Sequence, residues 1–201
     1  RRMRLLLGAL ALAAATFGLQ AGSAGPLATD PLVQVSGVSA FAACTADNVA
    51  GQPGTNFLHS EVEPWVDVNP TNPNNVVGIW QQDRWSNGGS RGHVAGVSDD
   101  GGSTWTQVVV PSVTVCSGGT AANGGDYQRT TDPWLSFGPD GTLHQISLSF
   151  NDIVPPFGPE DEQPGGDFDH ALLASRSTDG GHSWSAPRPL LPDATARQDD
   201  P

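Results

Sequence analysis

The sequence predicts an all-β fold made of four-stranded antiparallel sheets that repeat along the chain. Three observations predict it. Glycine (25) and proline (17) supply about a fifth of the 201 residues, charged residues only 15%, and no amphipathic helical period follows residue 30. A self-similar unit recurs, Glu63-Pro64-Trp65-Val66-Asp67-Val68 against Asp132-Pro133-Trp134-Leu135-Ser136-Phe137, at an offset of 69 residues. A second motif occurs once in each unit: Ser98-Asp99-Asp100-Gly101-Gly102-Ser103-Thr104-Trp105, then Ser177-Thr178-Asp179-Gly180-Gly181-His182-Ser183-Trp184.

In chain order, residues 1–24 read as a secretory signal peptide. Arg1, Arg2 and Arg4 form a basic start, residues 5–19 a mostly apolar run, and Gly22, Ser23 and Ala24 a small-residue site with cleavage expected after Ala24. The run is shorter than the ~20 residues of a membrane-spanning helix; a retained signal anchor is the alternative. Residues 25–60 carry few strand signals and are expected to be irregular.

Residues 61–201 hold the repeats. In the first unit (61–115) strands are expected at Trp65 to Val68, Val76 to Gln81, His93 to Ser98 and Thr104 to Val110, with turn chemistry across Asn69 to Asn75. In the second (128–192) they are expected at Trp134 to Phe137, Thr142 to Phe150, Ala171 to Arg176 and after Ser183, with the turn Gly138-Pro139-Asp140-Gly141. A third copy begins at Asp199-Asp200-Pro201, so the chain is expected to be the N-terminal piece of a longer protein. Four short strands per unit is the arithmetic of a β-propeller blade, here longer than the ~40–50 residues of the commonest repeats. The extra length lies in the loops Cys116 to Thr131 and Asn151 to Asp169.

The Ser-x-Asp-x-Gly-x-Ser/Thr-Trp motif describes a turn that closes on itself. Its Asp accepts hydrogen bonds from the turn's own backbone, its Gly supplies a positive φ, and its Trp covers apolar surface. These motifs resemble the Asp boxes, or bacterial neuraminidase repeats, of the sialidase superfamily, and the resemblance covers Glu63 to Pro201. It implies two blades plus the start of a third of a six-bladed propeller. It also implies structural roles for Ser98, Asp100, Gly102 and Trp105, and for Ser177, Asp179, Gly181 and Trp184.

The resemblance implies an exo-α-sialidase type of glycoside hydrolase, which grips its substrate carboxylate with three arginines and uses an Asp acid/base and a Tyr–Glu nucleophile pair. Gln81-Gln82-Asp83-Arg84 matches the family's Glu-x-Arg stretch, so Arg84 is the expected substrate contact and Asp83 the acid/base candidate. Glu63-Pro64-Trp65 stands where the family has Arg-Ile-Pro, and the loop from Trp85 to Gly92 contains no carboxylate. The family's nucleophilic tyrosine and remaining arginines belong to later blades, and Tyr127 does not match that tyrosine, so the chain by itself is expected to be inactive. The alternative is a non-catalytic Asp-box propeller that binds glycan or protein. Asp83 with Arg84, and Arg129 with Asp132, also read as local structural pairs.

Charge narrows the partners. Net charge is −12, and all nine basic residues are Arg; three lie at the extreme N-terminus, leaving six against 21 carboxylates. Such a body repels nucleic acid and anionic membrane. A glycan or glycoconjugate is the expected partner, and a secreted, periplasmic or extracellular location follows from the signal. No metal or cofactor is expected from the spacing of His93, His144, His170 and His182. The acidic run from Glu160-Asp161-Glu162 to Asp167 and Asp169 is a candidate for Ca²⁺, against a plain solvated loop. Cys44 and Cys116 lie 20 and 17 residues before the Pro of their respective units, in equivalent loops, and are expected to form one disulfide. Two separately buried thiols are the alternative.

Overall fold

The computed structural model describes residues 31–47, 54–151 and 170–191. The expected signal segment, the acidic run at 160–169 and the expected start of a third copy at 199 lie outside them. Backbone contacts divide the chain into Arg1–Leu32 and Val33–Pro201, and the architecture below is that of the second unit.

Eight antiparallel strands form two successive meanders: β1 (Glu61–Val68), β2 (Val76–Arg84), β3 (Ser90–Ser98) and β4 (Thr106–Val109), then β5 (Arg129–Phe137), β6 (Leu143–Phe150), β7 (His170–Ser177) and β8 (Arg188–Leu191). Both expected helix-free stretches, Val76 to Gln81 and Ala171 to Arg176, are strands. One register pair, Ser90 with Thr130, joins β3 to β5, so the meanders share a single continuous sheet that does not close on itself. Short 3₁₀ turns at Val115–Ser117 and Ala121–Asn123 are the helical content among the described residues.

Side-chain alternation explains how the meanders pack. Along β6 and β7, Leu143, Gln145, Ser147, Ser149 and Ala171, Leu173, Ser175, Ser177 point inward, and their neighbours outward. The inward set meets Val77, Ile79, Ala95 and Val97 of the first meander, with Val110 and Val113 completing the core. β2 and β3 are buried on both faces because a strap, residues 33–47, covers the other one. There Phe41 packs with Trp80 and Val94, flanked by Val35 and the two cysteines. Glycine makes this contact possible: a Cβ at Gly92 would stand 2.4 Å from Phe41, and one at Gly96 2.6 Å from Val35.

The strap is stapled as well as packed. Cys44 and Cys116 form a disulfide with Cα atoms 5.6 Å apart, across 72 residues of sequence. That separation is ordinary for a bridge. Asp47 pairs with Arg91 at 2.9 Å, and Ser39 Oγ donates to Asp83 at 2.7 Å.

The two turn motifs build the same hydrogen-bond circuit. Ser98 Oγ donates to Asp100 (2.8 Å), which also accepts from Thr104 N (2.8 Å) and Thr104 Oγ1 (2.7 Å). Ser177 Oγ donates to Asp179 (2.7 Å), which accepts from Ser183 N (2.9 Å) and from the Ser183 hydroxyl. The bonds from Thr104 and Ser98 hold the Asp100 carboxyl down to about 2. At Asp179 burial pushes the other way, and the bonds from Ser183 and Ser177 outweigh it, again to about 2. The circuits differ at the tryptophan: Trp105 Nε1 donates to Gly102 O at 2.9 Å, whereas Trp184 packs against the core between the meanders.

The second turn is wedged into the first meander. Asn75 Nδ2 donates to Gly180 O at 3.0 Å, and His182 meets Asp99 at 2.8 Å. Gly102 and Gly181 both have positive φ (94° and 100°), but a Cβ at Gly181 would also press on Val77 and Val97 at 3.1 Å. Gly102→Ala is therefore expected to cost about 1 kcal/mol, from left-handed strain alone. Gly181→Ala is expected to cost about 2–4 kcal/mol, because overpacking adds to that strain. Urea unfolding of both variants checks this order, and equal costs would contradict the wedge.

Candidate functional site

The site grows from two β-bulges. The β1–β2 register shifts between Val62 and Trp65, and the β5–β6 register between Thr131 and Trp134. Proline cannot donate to a ladder, so a bulge is where a strand tolerates Pro64 and Pro133. The acid before each proline is forced to positive φ, 54° at Glu63 and 52° at Asp132, and both side chains are exposed. The two tryptophans that follow stack on each other, centroids 4.7 Å apart and planes tilted 40°. They stay 44% and 51% exposed, flooring a cavity of about 450 Å³ that Glu63 and Asp132 also line.

Gln81 organises the polar side of this region. Fully buried on β2, its amide nitrogen donates to the Glu63 carboxylate and to Thr131 Oγ1 at 3.1 Å. Its amide oxygen accepts from Arg84 Nη1 at 3.1 Å, which orients the partly exposed guanidinium. Thr131 Oγ1 in turn lies 3.4 Å from Asp132 Oδ1. One amide thus links the arginine, both strands and, through Thr131, the second acid.

Behind Arg84 stands a second, fully buried arginine. The Arg129 guanidinium lies 4.3 Å over the Trp85 ring and donates to Asn87 Oδ1 (2.9 Å) and Gly88 O (2.8 Å). Burial lowers its pKa to about 10; the charge of Asp47 opposes that lowering and the charge of Arg84 adds to it. It therefore stays cationic at neutral pH, and these contacts hold the 85–89 turn.

Asp83 lies elsewhere than its neighbour in sequence implies. It is fully buried at φ 62°, its Oδ2 taken by Ser39 and its Oδ1 by His59 N (2.8 Å) and Gln82 Nε2 (3.1 Å). Its carbonyl accepts from Asn56 Nδ2 at 2.7 Å. The carboxylate fastens the chain before β1 onto β2, so the expected Asp83–Arg84 pair is not formed: both Asp83 oxygens are taken by Ser39, His59 and Gln82. Tyr127 packs on the inter-meander core.

Of the residues picked for the site by sequence, Arg84 is the one tied to this region, through Gln81 and Glu63. Glu63 and Asp132 were visible as part of the repeat, and an acid before proline at the same phase of both units is the signal that marks them. Gln81 and Thr131 carry no sequence signal, because their role comes from the approach of β2 to β5.

No family model matches the chain, and no curated protein does. Among solved structures it is similar to a protein of unknown function from Dyadobacter fermentans DSM 18053, with TM-score 0.42, 20% identity, and cover of 72% of this chain and 41% of that one. It is also similar to Trypanosoma rangeli sialidase in complex with the inhibitor DANA, with TM-score 0.42, 17% identity, and cover of 66% of this chain and 21% of that one. The chain therefore spans less than half the length of either. Among the described residues, no helix is long and apolar enough to cross a membrane.

Proposed function

We propose that the two meanders are consecutive blades of a six-bladed Asp-box β-propeller, and that the complete protein is a secreted, sialidase-like glycoside hydrolase acting on terminal sialic acids. The observation that carries this reading is that the Gln81 amide ties Arg84 to Glu63, one of two exposed carboxylates lining an aromatic-floored cavity. A guanidinium oriented by a buried amide suits a substrate carboxylate, and tryptophan faces suit the apolar face of a sugar ring. The matching turn circuits support the blade assignment. The partner is then a glycan or glycoconjugate, and no cofactor is invoked.

One observation favours a second reading, a propeller that binds glycan without cleaving it. Asp83, the acid/base candidate, is buried and fully engaged. The experiment is release of sialic acid from a sialoside by the complete protein. Arg84→Ala is expected to lower kcat/KM on the order of 10²-fold, as for loss of a charge-assisted contact. Wild-type turnover by that variant removes Arg84 from the site. Absence of turnover by the parent, with sialoside binding retained, selects the second reading.

A further inference from the structure

The geometry points to a metal site hidden behind the disulfide: when Cys44 and Cys116 are reduced, they and Asp47 bind one zinc ion. Ligand atoms of these three residues all lie within 4.8 Å of one another. Tetrahedral zinc, with Zn–S of about 2.3 Å and Zn–O of about 2.0–2.2 Å, sets its ligands roughly 3.5–3.8 Å apart. Two thiols released from a covalent bond relax to about that spacing, so little backbone movement is required.

Asp47 supplies the independent observation. Its side chain has no exposure, and Arg91 Nε occupies Oδ2 at 2.9 Å. Oδ1 has no hydrogen-bond partner among the described residues, although it is buried. An acceptor left so is costly, and a carboxylate oxygen of Asp47 lies within 4.8 Å of both sulfurs. Arg91, which also donates to Phe41 O at 3.3 Å, fixes the carboxylate's orientation in the way an outer partner orients a metal ligand. Phe41, Trp80 and Val94 wall the cluster with apolar surface.

The chemistry balances with an external dithiol. The dithiol gives up two electrons and two protons and becomes a cyclic disulfide, while the Cys44–Cys116 bond breaks to give two thiols. Zn²⁺ then displaces both thiol protons and bonds to two thiolates and Asp47 Oδ1, with water in the fourth position. Oxidised, the strap is held by a covalent bridge; reduced, it is held by metal at the same place.

The full chain is reduced with dithiothreitol, freed of it anaerobically and titrated with Co²⁺ as the spectroscopic probe. One Co²⁺ per chain is expected, with a thiolate-to-cobalt charge-transfer band and tetrahedral d–d absorption that Zn²⁺ abolishes. Asp47→Asn is expected to weaken binding tenfold or more, and zinc to raise the melting temperature of the reduced protein but not of the oxidised one. Absence of the charge-transfer band overturns the proposal. So does unchanged affinity in Asp47→Asn, which is also the result if reduction unfolds the chain and the thiols bind cobalt unassisted.

Discussion

Cys44→Ser, or Cys116→Ser, is expected to lower the unfolding free energy by about 4 kcal/mol. The bridge spans 72 residues, and the chain-entropy model assigns a closed loop of that size on the order of 4 kcal/mol. That is a large part of the ~5–15 kcal/mol by which a domain is stable. The loss falls unevenly. β2 and β3 keep the second meander on one face, whereas Phe41 and Val35 lose the staple that holds them over Gly92 and Gly96 on the other. Ser39–Asp83 and Asp47–Arg91 still hold the strap. Urea unfolding should therefore shift to a lower midpoint, and limited proteolysis of the native variant should cut first within residues 33–47. A variant within 1 kcal/mol of the parent, with the strap still protected, would show that packing and Asp83 hold it unaided.

The second large expectation is loss of stability in mild acid, caused by His93. This side chain is fully buried between the meanders, Nδ1 against Ser147 Oγ at 2.9 Å, and burial lowers its pKa from 6.5 to about 3. The unfolded chain binds a proton near pH 6.5 that the folded chain refuses until about pH 3. Stability is then complete above pH 6.5 and falls as the pH drops through that window. The loss is about 3 kcal/mol by pH 4.5, and about 4–5 kcal/mol by pH 3. Asp100 and Asp179, held down to about 2, add their loss at lower pH, below the ordinary carboxylate range. The interval from 6.5 to 4.5 therefore isolates the histidine. Unfolding free energies measured across it should slope upward with pH in the parent and flatten in His93→Gln. A flat parent curve would mean that His93 finds a proton-accepting partner in the folded state.

The sequence carried this much of the fold because its information was local and came twice. A tight turn is specified by a few adjacent residues: an acceptor, a glycine at positive φ and a hydroxyl donor. Ser98 to Trp105 and Ser177 to Trp184 both contain the full set. Period-two alternation likewise announced β6 and β7, whose inward and outward residues separate cleanly. The disulfide was legible because the repeat placed two cysteines in equivalent loops.

The site was legible only in part, since its geometry depends on residues far apart in sequence. Strict alternation would set Arg84 on the face opposite Gln81, but Asp83 breaks it with a positive φ (62°), so Asp83 went inward to Ser39 and His59 beside Gln82 while Arg84 turned to Gln81. Nothing in the order of residues shows that Gln81 would reach Thr131, fifty positions on, or that Asp47 would lie against both sulfurs. Alone, the sequence determined an all-β chain of repeated four-strand units with two self-closed turns, because periodicity and turn chemistry act over a few residues. Only the tertiary structure decided which carboxylates are open to a ligand and which are consumed by the fold, because burial is set by what packs across the sheet.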